Sequence, residues 1–190
     1  MKSYRLKLSL AALVVLCGAF FVVVRGARQE TFPPPPADRA LVYFTTENNA
    51  LTTLPFETAT TPLTMEKVAA SDKRSYIELK GESAATVIKT GEPRFYLFLP
   101  DVPNVHPPFI VSLTARRGVR RVTAMAQKGL IGFAIDSAEI IKPHYRVLGS
   151  QGGMLYMEIR PRYGLMPGEY AIIGTDLQRI ATFRIAAAQT

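Results

Sequence analysis

From residue 41 to the C-terminus apolar side chains recur every second residue, a period that suits strands and leaves little of the chain for amphipathic helices. Ile77 and Leu79 alternate with Tyr76, Glu78 and Lys80, and Phe109, Val111 and Leu113 alternate with Ile110, Ser112 and Thr114. Leu155, Met157 and Ile159 repeat the pattern against Tyr156, Glu158 and Arg160. Successive side chains of a strand point to opposite faces, so these segments read as half-buried strands. Further strands are expected at residues 41–46, 85–89, 95–99, 119–126, 131–135, 140–148, 169–174 and 180–186. Residues 95–99 are apolar throughout and predict a central strand. Only residues 64–71 read as briefly helical.

The turn chemistry agrees with the alternation. Arg116-Arg117-Gly118 and Gln127-Lys128-Gly129 each place glycine third in a three-residue connection, where a left-handed residue closes a hairpin with a G1 bulge. Segments 109–115, 119–126 and 131–135 then form a meander, and Gly149-Ser150-Gln151-Gly152-Gly153 closes a hairpin between 140–148 and 154–160. About ten short strands joined in this way predict an all-β antiparallel sandwich. With 190 residues, 48% of them hydrophobic, the chain has enough apolar surface for one core and too little length for several domains.

The alternation begins only after a different kind of segment. Residues 8–24 carry no charge and follow Lys2, Arg5 and Lys7, which predicts one N-terminal hydrophobic helix of roughly 26 Å at 1.5 Å per residue. Residues 1–28 therefore read as a signal anchor or a signal peptide. The sites for cleavage around Gly26 are poor, with Arg25 at or between the positions that need small side chains, so the uncleaved anchor is preferred and secretion after cleavage is the alternative. The excess of positive charge before the span orients the remainder to the extracytoplasmic side, periplasmic or at the surface. Cys17 lies within the apolar run, with Leu16 where lipid acylation needs a small residue, and reads as a buried thiol. No other cysteine exists to form a disulfide or a thiolate zinc site.

Half of the net charge of +8 belongs to residues 1–30, so the exported part is only mildly basic and no nucleic acid is expected as a partner. Residues 29–39 contain Pro33-Pro34-Pro35-Pro36, which predicts a stiff polyproline II linker of about 12 Å, a spacer between the membrane and a domain at 40–190.

Leu165-Met166-Pro167-Gly168-Glu169-Tyr170 precedes the last two expected strands. It resembles the tyrosine corner of immunoglobulin-like and fibronectin-type β-sandwich domains. The resemblance implies an immunoglobulin-like fold in which Tyr170 bonds back to the backbone of the connection, with Leu165 and Gly168 as the structural partners of the motif. Tyr76-Ile77-Glu78-Leu79-Lys80-Gly81, Gly91-Glu92-Pro93-Arg94-Phe95 and the Pro167-Gly168-Glu169-Tyr170 turn are also similar to uncharacterised exported bacterial proteins. Neither likeness implies an activity.

The chain has no phosphate loop, dinucleotide fingerprint, nucleophile elbow or His-Glu-x-x-His, and no cofactor, metal or catalytic residue is assigned. His106 and His144 read as solvent-side residues, and Asp136 with Glu139 as turn formers. Arg116, Arg117, Arg120 and Arg121 crowd one hairpin, where bidentate guanidinium groups suit a clamp for an anionic envelope polymer or lipid headgroup; a solvated turn or a blunted sheet edge is the preferred reading of the same residues. Loop 100–108, with four prolines, is the other candidate surface, either a recognition loop or a rigid connection. The expected function is a membrane-tethered, non-catalytic binding or structural module of the cell envelope, with an envelope protein among its candidate partners. The alternatives are a secreted polysaccharide- or lipid-binding domain and a hydrolase with an unrecognised site.

Overall fold

Alternating sequence becomes strand throughout: β1 (Val42–Thr45), β2 (Leu51–Leu54), β3 (Phe56–Glu57), β4 (Thr64–Ala69), β5 (Asp72–Lys80), β6 (Val87–Ile88), β7 (Phe95–Pro100), β8 (Phe109–Arg116), β9 (Val119–Ala126), β10 (Phe133–Ile135), β11 (Ile140–Ile141), β12 (Pro143–Gln151), β13 (Met154–Pro161), β14 (Gly168–Ile173) and β15 (Ile180–Ile185). The computed structural model describes residues 31–187 except 47–49, 61–63, 70–71, 104 and 127–132. Among the described residues there is no helix, and none therefore long and apolar enough to cross a membrane. The expected N-terminal helix, the anchor and Cys17 lie outside the described residues, as does the Gln127-Lys128-Gly129 connection. The chain divides into two compact units, Met1–Phe32 and Pro33–Thr190, and all fifteen strands belong to the second.

Two sheets form. One has the order β12-β13-β7-β1-β2, antiparallel throughout, with the apolar β7 in its centre as its sequence predicts. The other follows β3-β15-β14-β8-β9-β5-β4, with β10 on β9, β11 on β8 and the short β6 parallel to β15. Segment 64–71, expected to be briefly helical, contains strand β4, paired with β5. Pairing with a long neighbour overrides a weak local preference.

The second sheet does not remain a single layer. β8 pairs with β9 only near the hairpin, at Thr114–Arg116 against Val119–Arg121, and then leaves it to pair with β14; β10 takes up the other end of β9. The expected meander is present as β8-β9-β10, with the difference that β8 also passes from one layer to the next. β14 and β15 consequently have cores on both faces. Tyr170, Ile172, Phe183 and Ile185 face Val42, Phe95, Leu97 and Ile159 of the five-stranded sheet. Ala171, Ile173 and Ile180 face Ile77, Leu79 and Val122 of the β4-β5-β9 wing. Burial on both faces explains why the Ala171-Ile172-Ile173 run does not alternate. The fold is all-β and sandwich-like, with a central layer that the two-sheet expectation does not contain.

Two hairpins are tighter than expected. The β8–β9 connection is the two-residue turn Arg117-Gly118, with φ of 51° and 83°, and the β12–β13 connection is Gly152-Gly153, with φ of 60° and 69°. Positive φ at both central residues is the requirement of a type I′ turn, whose twist matches the flanking strands better than a three-residue G1 loop needs to. Residues 140–148 divide at Lys142, because Ile140–Ile141 pairs with β8 and Pro143 opens a strand of the other sheet.

The proline segment is stiff but does not stand free. The Tyr156 hydroxyl donates to the Pro33 carbonyl at 3.2 Å and the Tyr43 hydroxyl to the Asp38 carbonyl at 2.9 Å. Residues 33–38 are thereby bonded to the side of the five-stranded sheet where Tyr43, Tyr96, Phe98 and Tyr156 cluster. Phe98 stacks on Tyr156 with ring centroids 5.0 Å apart. An aromatic face suits a polyproline segment because the prolines bring apolar rings at low entropic cost while the tyrosine hydroxyls satisfy exposed carbonyls.

Candidate functional site

Alternation along β9 separates the four arginines singled out in the sequence. Arg120 shares a face with the buried Val122 and Ala124, and is itself 1% exposed. Its Nη2 donates to Glu57 Oε2 at 2.6 Å and to the Lys80 carbonyl at 2.9 Å, and its Nε to the Gly81 carbonyl at 3.1 Å. Glu57 also accepts from the Thr182 hydroxyl. Arg120 is therefore a core residue of the second interlayer space and no part of a surface clamp, because the strand pleat turns it inward. Arg121 points the other way and lies over the Tyr76 ring, 4.0 Å from its centroid.

Only Arg116 and Arg117 stay exposed at the tip. The tip is tied to the neighbouring turn, since Gly118 N donates to Glu82 Oε1 at 3.2 Å and Gly81 N to the Gly118 carbonyl at 2.9 Å. A carboxylate beside the two arginines lowers the local charge on which an anion clamp depends.

The Leu165–Tyr170 segment is built as a structural joint. The Tyr170 hydroxyl donates to the Met166 carbonyl at 2.8 Å, the kind of backward bond that the tyrosine-corner resemblance implies, and its ring stacks on Phe183 at 5.5 Å. Burial raises the Tyr170 pKa above its ordinary value. Leu165 enters the core, and its amide donates to the Gly91 carbonyl at 2.7 Å. A Cβ on Gly91 would come within 2.9 Å of the Leu165 carbonyl oxygen, so the close approach needs glycine there, whereas a Cβ on Gly168 would make only ordinary contact with Tyr170. Glu169 accepts from Ser83 Oγ at 2.7 Å and Ala84 N at 2.8 Å, fixing the 83–84 turn.

The titratable pairs are likewise structural. Asp136 Oδ1 accepts from Ala138 N at 3.0 Å and Glu139 Oε1 from Thr123 Oγ1 at 2.6 Å, so both carboxylates hold the turn that they form. Among the described residues no three His, Cys, Asp or Glu side chains converge in a metal-binding group. His144 lies exposed on β12, and His106 is exposed in loop 100–108.

That loop borders a concave feature. An open cleft of about 670 Å³ lies between β1 and β7 on one side and β3, the end of β14 and the β14–β15 connection on the other. Its floor is apolar, formed by Val42, Phe56, Leu97, Leu99 and Ile172, all within or against the first interlayer core. Arg39, Arg179, His106 and Asp176 are the charged and imidazole side chains around it. Loop 100–108 is pinned as a wall: Asp101 N donates to the Gly153 carbonyl at 2.8 Å and Tyr145 Oη to the Pro108 carbonyl at 3.0 Å. A rigid loop at a cleft combines the two readings of its prolines. Arg39 and Arg179 escape the sequence reading because they are 140 positions apart, one in the proline segment and one before β15.

The cleft has the size and apolar lining of a small-molecule site. No family profile, curated protein or solved structure matches this chain.

Proposed function

We propose that the chain is a membrane-tethered, non-catalytic binding module of the cell envelope, with an immunoglobulin-like β-sandwich held on the extracytoplasmic side by residues 8–24. The binding site is the open cleft at the end of the first interlayer space, and the arginine hairpin is secondary. The observation that carries this reading is the cleft itself: sheet ends ordinarily close over their core, whereas here core residues such as Val42, Leu97 and Ile172 line an accessible space. The proline segment fits a tether, because its docking on the tyrosine face sets where the chain leaves the domain.

Two measurements test the proposal. Alkaline carbonate should leave the full-length protein in the membrane fraction; recovery of a soluble species beginning near Ala27 would favour the secreted alternative. Gly174 lines the cleft, and a Cβ there meets only Pro108 Cβ at 3.8 Å, so Gly174→Phe should fill the space without displacing the core. Native-membrane extracts should then lose any small molecule that co-purifies with the wild-type protein, and an identical small-molecule content in the two proteins would remove the cleft from the function.

A further inference from the structure

The two arginines of the cleft are held in place without being neutralised. Arg179 donates to the Ala40 carbonyl and lies over the Phe56 ring, 4.6 Å from its centroid. Arg39 donates to the Gln151 carbonyl at 2.9 Å and lies 5.5 Å from the Phe98 centroid. A guanidinium has five N–H donors, and stacking on a ring leaves its in-plane donors directed outward. Among the described residues neither arginine is paired with a carboxylate. Asp176, the one acid lining the cleft, already accepts from Gln178 N at 2.9 Å through Oδ1.

Fixed cations above an apolar floor select a ligand with both properties. A hydrated inorganic anion gains nothing from Leu97 and Ile172, and an uncharged hydrocarbon leaves the guanidinium donors without acceptors as it displaces water from them. We propose that the cleft binds an anionic single-chain amphiphile, its carboxylate or phosphate ester held by Arg39 and Arg179 and its hydrocarbon chain laid along the floor. The inference rests on the cleft being the binding site. A volume of about 670 Å³ lies within the range of sites that enclose most of a small ligand. Arg39 follows directly on the proline segment that docks at Asp38, so the head-group contact is fixed by the same residues that fix the tether.

The test uses the full-length protein in amphipol and three probes below their micelle concentrations: decyl phosphate, decanol and inorganic phosphate. Calorimetric titration of the wild type should give saturable binding of decyl phosphate, and none of inorganic phosphate. Gly174→Phe should abolish that binding, and Thr175→Trp, at an exposed cleft position, serves as a second block should the first variant misfold. Arg39→Gln with Arg179→Gln should weaken decyl phosphate by at least about tenfold, as expected for loss of charge-assisted bonds, while decanol changes little. Equal binding of decanol and decyl phosphate, with the double variant indistinguishable from wild type, would overturn the anionic assignment yet retain the cleft, provided that the blocks abolish both. Saturable binding of inorganic phosphate as tight as that of decyl phosphate would overturn the amphiphile. No difference between wild type and both blocks with any probe would overturn the cleft and the inference together.

Discussion

The two interlayer spaces share the strands β8, β14 and β15 but put charge to opposite uses. On one face of these strands the space is apolar within and open at one end, with Arg39 and Arg179 at the opening. On the other face the space encloses a polar group, Arg120 bound to Glu57 and two backbone carbonyls, with Thr182 completing the carboxylate. A guanidinium sealed among strands, with Nε and Nη2 bonded and Nη1 buried without a partner, is closed to any ligand from solvent and is architecture. One held at the edge of an opening, with donors left over, is available to a ligand. Residue type is the same in both places, and what separates them is access: Arg120 is 1% exposed, whereas Arg39 is half-buried and Arg179 exposed.

The sharpest way to break this distinction is to remove the cations from each space in turn. Arg120→Met leaves Glu57 and the Lys80 and Gly81 carbonyls without their donor and should destabilise the domain by about 3 kcal/mol, the lower end for a broken buried pair because the Glu57 side chain is 27% exposed. Adding Glu57→Leu should recover much of that loss, since a matched apolar pair needs no acceptors. Arg39→Gln with Arg179→Gln should shift stability by no more than about 0.5 kcal/mol each, as for other surface substitutions. Denaturant midpoints measure all three. Similar losses at the two sites would mean that the cleft arginines are structural too.

A second comparison sets the tyrosine face against the rest of the surface. Burial raises the pKa of Tyr156 to about 12, reinforced by Tyr96 and Glu158, and raises those of Tyr43 and Tyr96 as well. The unfolded chain loses these protons from about pH 10 while the folded protein keeps them, so the folded state binds more protons in this range and stability falls as pH rises from 10 towards 12. Below pH 10 this contribution is fully present. The melting temperature should fall through that window, while the tyrosinate absorbance of Tyr43, Tyr96 and Tyr156, taken as the difference from the variant with phenylalanine at all three, appears only on unfolding. Early appearance of that difference signal from a still-folded protein would show that the proline segment does not shield the face.

Much of this architecture is legible in the chain, and the illegible part is non-local. Alternation finds β8 within one residue and β9 at its observed limits, because each has one face in a core. It passes over β2, where Leu51-Thr52-Thr53-Leu54 has no regular alternation, and β3, which is two residues long. The third layer depends on Ile77 meeting Val122, a pairing that no local pattern encodes. Arg120 was within reach of the sequence: two residues before Val122 and four before Ala124, it occupies the inward row of its strand. The cleft was not, because Arg39 and Arg179 meet it only after the chain has folded.

The joint between the last strands should respond more mildly. Tyr170→Phe removes the bond to the Met166 carbonyl but keeps the ring on Phe183, so a loss of about 1 to 2 kcal/mol is expected, with no change in decyl phosphate binding. An unchanged denaturation midpoint would mean that the hydroxyl bond contributes nothing and that the likeness to a tyrosine corner stops at the sequence.

The smallest effect expected is a gain, and it separates the two turns of like geometry. Gly152-Gly153 adopts positive φ without steric cost, whereas Arg117 holds φ of 51° with a full side chain. Asparagine tolerates this conformation better and Asn-Gly is the favoured pair for a I′ turn, so Arg117→Asn should stabilise the domain by about 0.5 kcal/mol. The substitution leaves the Gly118 amide on Glu82 and lies outside the cleft lining, so decyl phosphate binding should not move. Affinity for anionic liposomes is the decisive readout. If Arg117→Asn raises the midpoint and leaves liposome binding unchanged, the strained arginine has no role on a membrane surface. A raised midpoint with lost liposome binding would give the strain a function, and the hairpin would join the cleft as a second point of contact with anionic lipid.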